Sequence, residues 1–99
     1  MQIIANVGIA KSNAVIAMSE ARKYDFDKAK TLIKEAHKAM IVAENAHMEI
    51  VVQEAQGVQH EFKVLFMHAE DQMLTCQTLM IVAEEMIAMY KKMKILEEK

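Results

Sequence analysis

Residues 68–90 have the sequence HAEDQMLTCQTLMIVAEEMIAMY, which contains neither glycine nor proline. Apolar, small or aromatic residues recur in this run at alternating steps of four and three, the spacing of one face of an α-helix. These seam positions are Ala69, Met73, Cys76, Met80, Ala83, Ile87 and Tyr90. The run therefore predicts a long α-helix that buries one seam.

Two upstream segments have the same spacing. In the first, the seam positions are Ile3, Val7, Ala10, Ala14, Ala17 and Ala21. In the second, they are Ala29, Ile33, Ala36, Met40, Ala43, His47 and Ile50. Because short connections make neighbouring helices antiparallel, we predict an all-α fold. The predicted architecture is an antiparallel three-helix up-down bundle that forms a single domain over residues 1–99.

Two interruptions set the helix boundaries. In residues 23–27, Asp25 is predicted to be an N-cap, and Asp27 would lie in the first turn of the next helix. In residues 55–60, Gly57 can end a helix by adopting a left-handed conformation. We predict helices at residues 2–22, 26–54 and 61–97.

The third helix has a second seam whose first half is polar and whose second half is apolar. Its positions are His68, Asp71, Thr75, Thr78, Val82, Met86, Met89 and Met93. A helix with two seams buries two faces, and only one of them can close a bundle within the chain. Hydrophobic residues make up 54% of this small protein, a share that is hard to bury in one copy. We therefore expect oligomerisation.

The composition excludes several classes of protein. With two glycines and no proline, the chain lacks the turn residues that a sheet protein needs. A net charge of -2 provides no basic patch for nucleic acid or a membrane surface. A single cysteine, no spanning apolar run and no signal peptide in residues 1–11 predict a cytoplasmic protein without direct membrane insertion.

The polar half of the second seam contains the candidate chemistry. His68, Asp71, Gln72 and Thr75 are spaced so that they are neighbours on one helix. A neutral imidazole is a good nucleophile toward phosphorus, and any of the other three side chains could orient its ring. The spacing alone fits a packed histidine at a subunit contact equally well.

The sequence resembles the lactose/cellobiose-type IIA components of the bacterial sugar phosphotransferase system. Residues 68–75, HAEDQMLT, are similar to the family segment His-Ala-Gln-Asp-His-Leu-Met-Thr. Other similar segments are IIANVG at 3–8, YDF at 24–26 where members often have Gly-Asp-Phe, QEAQG at 53–57 and AEEMIAMYKK at 83–92. Their order and spacing extend the resemblance along nearly the whole chain.

The resemblance implies a homotrimer that forms a nine-helix bundle. His68 matches the histidine that accepts a phosphoryl group, with attack by Nε2, from the phosphocarrier protein HPr. The group then passes to a cysteine of the IIB component during uptake of a β-linked disaccharide. Asp71 matches an aspartate near the three-fold axis that binds a divalent cation, expected to be magnesium. Three carboxylates brought together repel one another, which agrees with a bridging cation.

Two residues depart from the family pattern. Gln72 replaces the usual second histidine and keeps hydrogen-bonding capacity without a charge. Glu70 replaces the usual glutamine and adds a negative charge, which at position i+2 should point away from His68. Thr75 could donate its hydroxyl proton to the phosphate or the imidazole. Val64, Leu65, Met67 and Met73 are expected to form an apolar docking rim.

Two other functions compete with phosphoryl transfer. One is a structural or adaptor helical bundle, in which His68 is inert and Asp71 only specifies register. The other is a metal-dependent bundle that uses Glu44, His47, His68 and Asp71, although the chain contains one Glu-x-x-His motif where such sites use two.

The remaining histidines and the cysteine are assigned structural roles. His47 lies on a seam and is expected to be packed, whereas His37 is expected to be solvated. His60 falls in the predicted second connection, with no evident partner. Cys76 lies on a seam and is expected to be a small buried hydrophobe.

Overall fold

Three helices form the protein, and a computed structural model describes residues 2–59 and 64–99. Helix α1 spans Gln2–Arg22, α2 spans Phe26–Ala55 and α3 spans Val64–Glu97. The predicted helical class and these boundaries are confirmed. The predicted start of the third helix, at residue 61, lies outside the described residues. The bundle is a rod with extents of 61 × 19 × 18 Å.

The predicted seams form the core. Every seam position of α1 is buried, as are those of α2 up to Ala43 and those of α3 up to Ala83. The outer seam positions are half-buried, because the three helices cover each other less completely there. These positions are His47, Ile50, Ile87 and Tyr90. Ten of the seventeen buried residues in the described part are alanines. Small side chains of this kind let helix backbones approach closely.

The turn between α1 and α2 is capped as predicted. Lys28 donates its backbone N–H to Asp25 Oδ1 at 3.2 Å. Tyr24 has a φ of 68°, which lies in the left-handed region of backbone conformation. Glycine adopts this region most readily, which agrees with the Gly-Asp-Phe segment that the resembled family often has here. The Tyr24 ring stacks on Phe26 at 5.9 Å, and a hydrogen bond to Glu97 raises the pKa of Tyr24. Glu97 is the last residue of α3, so Tyr24 and the end of α3 lie close together.

The end of α2 also follows the predicted pattern. Gln56 is the C-cap, and its N–H donates to carbonyl groups of the last turn of α2. Gly57 follows with a φ of 91°, a conformation that side chains other than glycine rarely adopt. The helix therefore stops where the sequence indicated.

The Asp25 cap makes a measurable contribution to stability. We expect Asp25→Ala to lower the free energy of unfolding by about 1 kcal/mol, because the N–H of Lys28 loses its side-chain acceptor. Urea denaturation of the variant measures this change. Lys30→Ala, at an exposed position of the same helix, is the control and should change stability by less than about 0.5 kcal/mol. Equal stability of the two variants would contradict the capping role.

The helices pack unequally. Helix α1 contacts both others extensively, whereas α2 and α3 touch each other least. Large apolar side chains remain exposed on the outer faces of all three helices, among them Ile9, Ile41, Leu74, Ile81 and Met89. Within residues 2–59 and 64–99, no helix has both the length and the apolar character to cross a membrane.

Candidate functional site

His68 lies on the outside of α3. Its neighbour Ala69 is completely buried in the core, so the helical rotation turns His68 outward, where its side chain is exposed. Val64, Leu65 and Met67 are also exposed, as the predicted docking rim before the histidine requires. Assigning Met73 to the rim was wrong, because Met73 is a core residue that follows Ala69 by four positions on the buried seam.

The other predicted site residues are arranged around His68 on the same helix. Asp71 and Thr75 are exposed on α3, whereas Gln72 is half-buried between this face and the core. Thr75 Oγ1 donates to the backbone carbonyl of Asp71 at 2.9 Å. The hydroxyl proton of Thr75 is thus used within the helix, and donation to a phosphate would require it to rotate.

Glu70 points toward α2, in agreement with the expectation that it faces away from His68. Its Oε2 lies 2.7 Å from Nε2 of His47, a distance at which an imidazole N–H donates to a carboxylate. The His47 ring also stacks on Phe66, with centroids 5.8 Å apart and planes inclined by 3°. His47 is therefore a packed histidine, as predicted.

His37 and Cys76 lie away from this face. His37 is half-exposed, as expected, and its Nε2 lies 2.5 Å from Glu84 Oε1, a partner that the sequence did not reveal. Cys76 is buried, and its Sγ is 3.9 Å from the carbonyl oxygen of Val7. Burial raises the pKa of the Cys76 thiol, which keeps it protonated and fits a small hydrophobe. The prediction for His60 lies outside the described residues.

The described residues of one chain do not assemble a metal site. Among residues 2–59 and 64–99, no three His, Cys, Asp or Glu side chains are grouped so that they could hold an ion. The hypothesis of a metal site built from Glu44, His47, His68 and Asp71 within one chain is therefore wrong. Helix packing directs His47 to Glu70, while His68 faces outward. A cation at Asp71 would need carboxylates from further copies.

The arrangement suits group transfer between proteins. An exposed imidazole on a rigid helix, beside exposed apolar side chains, can contact a reactive group on the surface of another protein. The imidazole lies outside the three-helix bundle of one chain, so no movement of the helices of that chain is needed to reach it.

Comparisons with known proteins agree along nearly the whole chain. The family described as "PTS system, Lactose/Cellobiose specific IIA subunit" matches residues 1–91. The lactose-specific EIIA component of Lacticaseibacillus casei is 33% identical over 97 residues, covering 98% of this chain and 87% of that protein. The lactose-specific EIIA component of Staphylococcus epidermidis is 31% identical over 91 residues, covering 92% and 88% of the two chains.

A solved structure has the same fold. The crystal structure of the cellobiose-specific enzyme IIA from Bacillus anthracis superimposes with a TM-score of 0.92 at 32% identity, covering 95% of this chain and 86% of that one. The all-helical architecture, the family match and the curated relatives lead to one assignment. This chain belongs to the lactose/cellobiose-specific IIA subunits of the phosphotransferase system.

Proposed function

We propose that this protein is a cytoplasmic phosphocarrier that accepts a phosphoryl group from phospho-HPr on His68 and passes it to a cysteine of a IIB component. The transfer serves uptake of a β-linked disaccharide. The observation that carries the proposal is the exposed imidazole of His68 on α3, beside the exposed apolar residues Val64, Leu65 and Met67. Membership of the IIA family supports HPr and a IIB component as the two partner proteins.

The proposed reaction is two in-line displacements at phosphorus. In the first, a lone pair of the neutral His68 imidazole forms a nitrogen–phosphorus bond as the bond between phosphorus and HPr breaks. In the second, the thiolate of the IIB cysteine forms a sulfur–phosphorus bond and the imidazole leaves. Little covalent chemistry is required of the protein, so positioning and charge stabilisation dominate both steps.

Neighbouring side chains have supporting roles in this proposal. Gln72, one turn after His68, can hydrogen-bond the imidazole or the phosphoryl oxygens without adding charge. Thr75 can donate its hydroxyl proton to the phosphoryl group after leaving the Asp71 carbonyl. Met67, Val64 and Leu65 form the docking rim, where the flexibility of methionine suits a surface that receives two partners in turn.

The resemblance of residues 68–75 to the family segment also supports a homotrimer with nine helices. In the proposed assembly, Asp71 carboxylates from three copies bind a divalent cation. We propose magnesium, because this ion prefers oxygen ligands. The exposed apolar half of the second seam of α3, including Val82, Met89 and Met93, would be buried between copies. Burial between copies would remove these apolar side chains from water.

The oligomeric state gives a direct check of this assembly. We expect light scattering of the purified protein in magnesium to give three times the subunit mass of 11.3 kDa. Asp71→Asn should abolish the magnesium response of the trimer, because the amide carries no charge to attract the ion. Asp27→Asn, an exposed aspartate in the first turn of α2, is the control. A monomer at high concentration in magnesium would contradict the assembly.

A two-step transfer experiment tests the function as a whole. Radiolabelled phosphoenolpyruvate, enzyme I and HPr are incubated with this protein, and a IIB component is then added. We expect label to appear on this protein and then to move to IIB. If HPr becomes labelled and this protein does not, the proposal of phosphoryl transfer is wrong. A structural or adaptor role then becomes the better proposal, since exposed apolar faces would suit the binding of other proteins.

A further inference from the structure

We propose that His47 is a positioning residue for phosphoryl transfer: through Glu70 and Phe66 it fixes the rotation of the first turns of α3, and thereby the place of the His68 imidazole. This inference rests on the proposed function of His68. It concerns a residue on a different helix, which does not touch the reacting atoms.

His47 contacts two residues of α3, Phe66 and Glu70. Phe66 and Glu70 are four residues apart, so they lie on the same face of the helix. The ring face of His47 stacks on Phe66, and its ring edge, at Nε2, reaches the Glu70 carboxylate at 2.7 Å. The His47 side chain is 17% exposed and that of Glu70 44%, so the ring is packed while the carboxylate lies at the surface. Two contacts to one ring fix both the height and the rotation of α3.

His68 lies between these two contacts along the chain. At 100° per residue, it points to the side of α3 opposite to Phe66 and Glu70. A helix with its side chains has a radius of about 5–6 Å, so a rotation of roughly 10° would move the imidazole by about 1 Å. A displacement of that size can lower the rate of a positioned reaction up to about 100-fold. The contacts that His47 of α2 makes with α3 therefore affect the position of the His68 imidazole.

The packing of the bundle makes these contacts important. Helices α2 and α3 touch each other least of the three pairs. The residues just before His68 that face outward, Val64 and Leu65, are exposed and provide little restraint. Turning Glu70 toward His47 also directs its negative charge away from the phosphoryl group.

The test compares two histidine–glutamate pairs that join the same two helices. His47→Phe keeps an aromatic ring for Phe66 and removes the nitrogen that contacts Glu70. His37→Phe removes the corresponding nitrogen from the pair with Glu84. Glu84 is sixteen residues after His68, or about 24 Å along the helix. Only the first substitution should loosen the turn that carries His68.

The measured quantities are the transfer rate at saturating phospho-HPr and amide hydrogen exchange. We expect His47→Phe to lower the rate about 10-fold and His37→Phe to change it less than about two-fold. Glu70→Gln should keep most of the rate, because its amide oxygen can still accept from Nε2–H of His47 while the ring stays stacked on Phe66. Exchange should accelerate over residues 64–72 in His47→Phe and stay unchanged in the second half of α3.

The outcomes separate this inference from the proposed function. If the wild-type protein takes up label and the two phenylalanine variants have equal rates, the positioning role is wrong while the phosphocarrier function stands. A loss of rate in Glu70→Gln as large as that in His47→Phe would also overturn it. If the wild-type protein takes up no label, the proposed function and the positioning role both fail, and exchange over residues 64–72 alone decides whether the contact holds α3.

Discussion

His68→Ala should abolish phosphorylation of the protein by phospho-HPr. The alanine has no nitrogen to attack phosphorus, and no other proposed site residue is a comparable nucleophile. Intact-mass measurement should show a gain of about 80 Da for the wild-type protein, the mass of one phosphoryl group, and no gain for the variant. Because the His68 side chain is exposed, its removal should change the free energy of unfolding by less than about 0.5 kcal/mol.

His37→Ala is the matched control for this loss. His37 is also an exposed helical histidine, with 53% of its side chain accessible, but it lies on α2 and pairs with Glu84. We expect the His37 variant to be phosphorylated like the wild-type protein. A His68 variant that still gains the mass of a phosphoryl group would assign the reaction to another residue.

Ala14→Leu should destabilise the bundle more than any surface substitution. Ala14 is completely buried in the middle of the α1 seam, where small side chains let the helices approach closely. A leucine there must force the helices apart or adopt a strained rotamer, at a cost of about 1–3 kcal/mol. For a domain of this size, each 1 kcal/mol lowers the melting temperature by about 4–8 °C.

Val15→Leu, at the next position, is the matched control. Val15 is 49% exposed, so a larger side chain there meets no core residue. Thermal and urea denaturation of the two variants should separate them clearly. If Ala14→Leu were as stable as Val15→Leu, the close approach of the helices at the alanine-rich core would be wrong.

The helical seams could be predicted because each depends only on spacing along the chain. The alternation of four and three identified the buried positions of α1 in full and those of α3 as far as Ala83. Asp25 and Gly57 were predictable for the same reason, since capping and chain reversal are local. Ala39 was missed because it lies beside the α2 seam and is buried by the close packing of small residues.

The site was only partly predictable. The outward direction of His68 follows from its position next to the buried seam, but spacing cannot show which residues of different helices meet. The contact between His47 and Glu70 depends on the relative rotation and height of α2 and α3, which no local pattern encodes. Two signals of this contact were present in the sequence: His47 lies on the seam of α2, and Glu70 follows the seam residue Ala69 of α3.

Met73 shows how a correct seam can be applied wrongly. The sequence assigns it both to the docking rim near His68 and to a seam position, and the seam position predicts burial. The structure confirms the core position. Periodicity is therefore the better guide when closeness along the chain and helical phase disagree.

In the proposed function, His68 carries the phosphoryl group. The most direct test is nuclear magnetic resonance of wild-type protein that contains isotope-labelled histidine, recorded after phosphorylation by phospho-HPr. The protein has four histidines, so the ring signals can be assigned individually. We predict a phosphorus–nitrogen coupling on the His68 ring and on no other. A coupling on His37, His47 or His60, or no coupling while HPr is phosphorylated, would contradict the assignment.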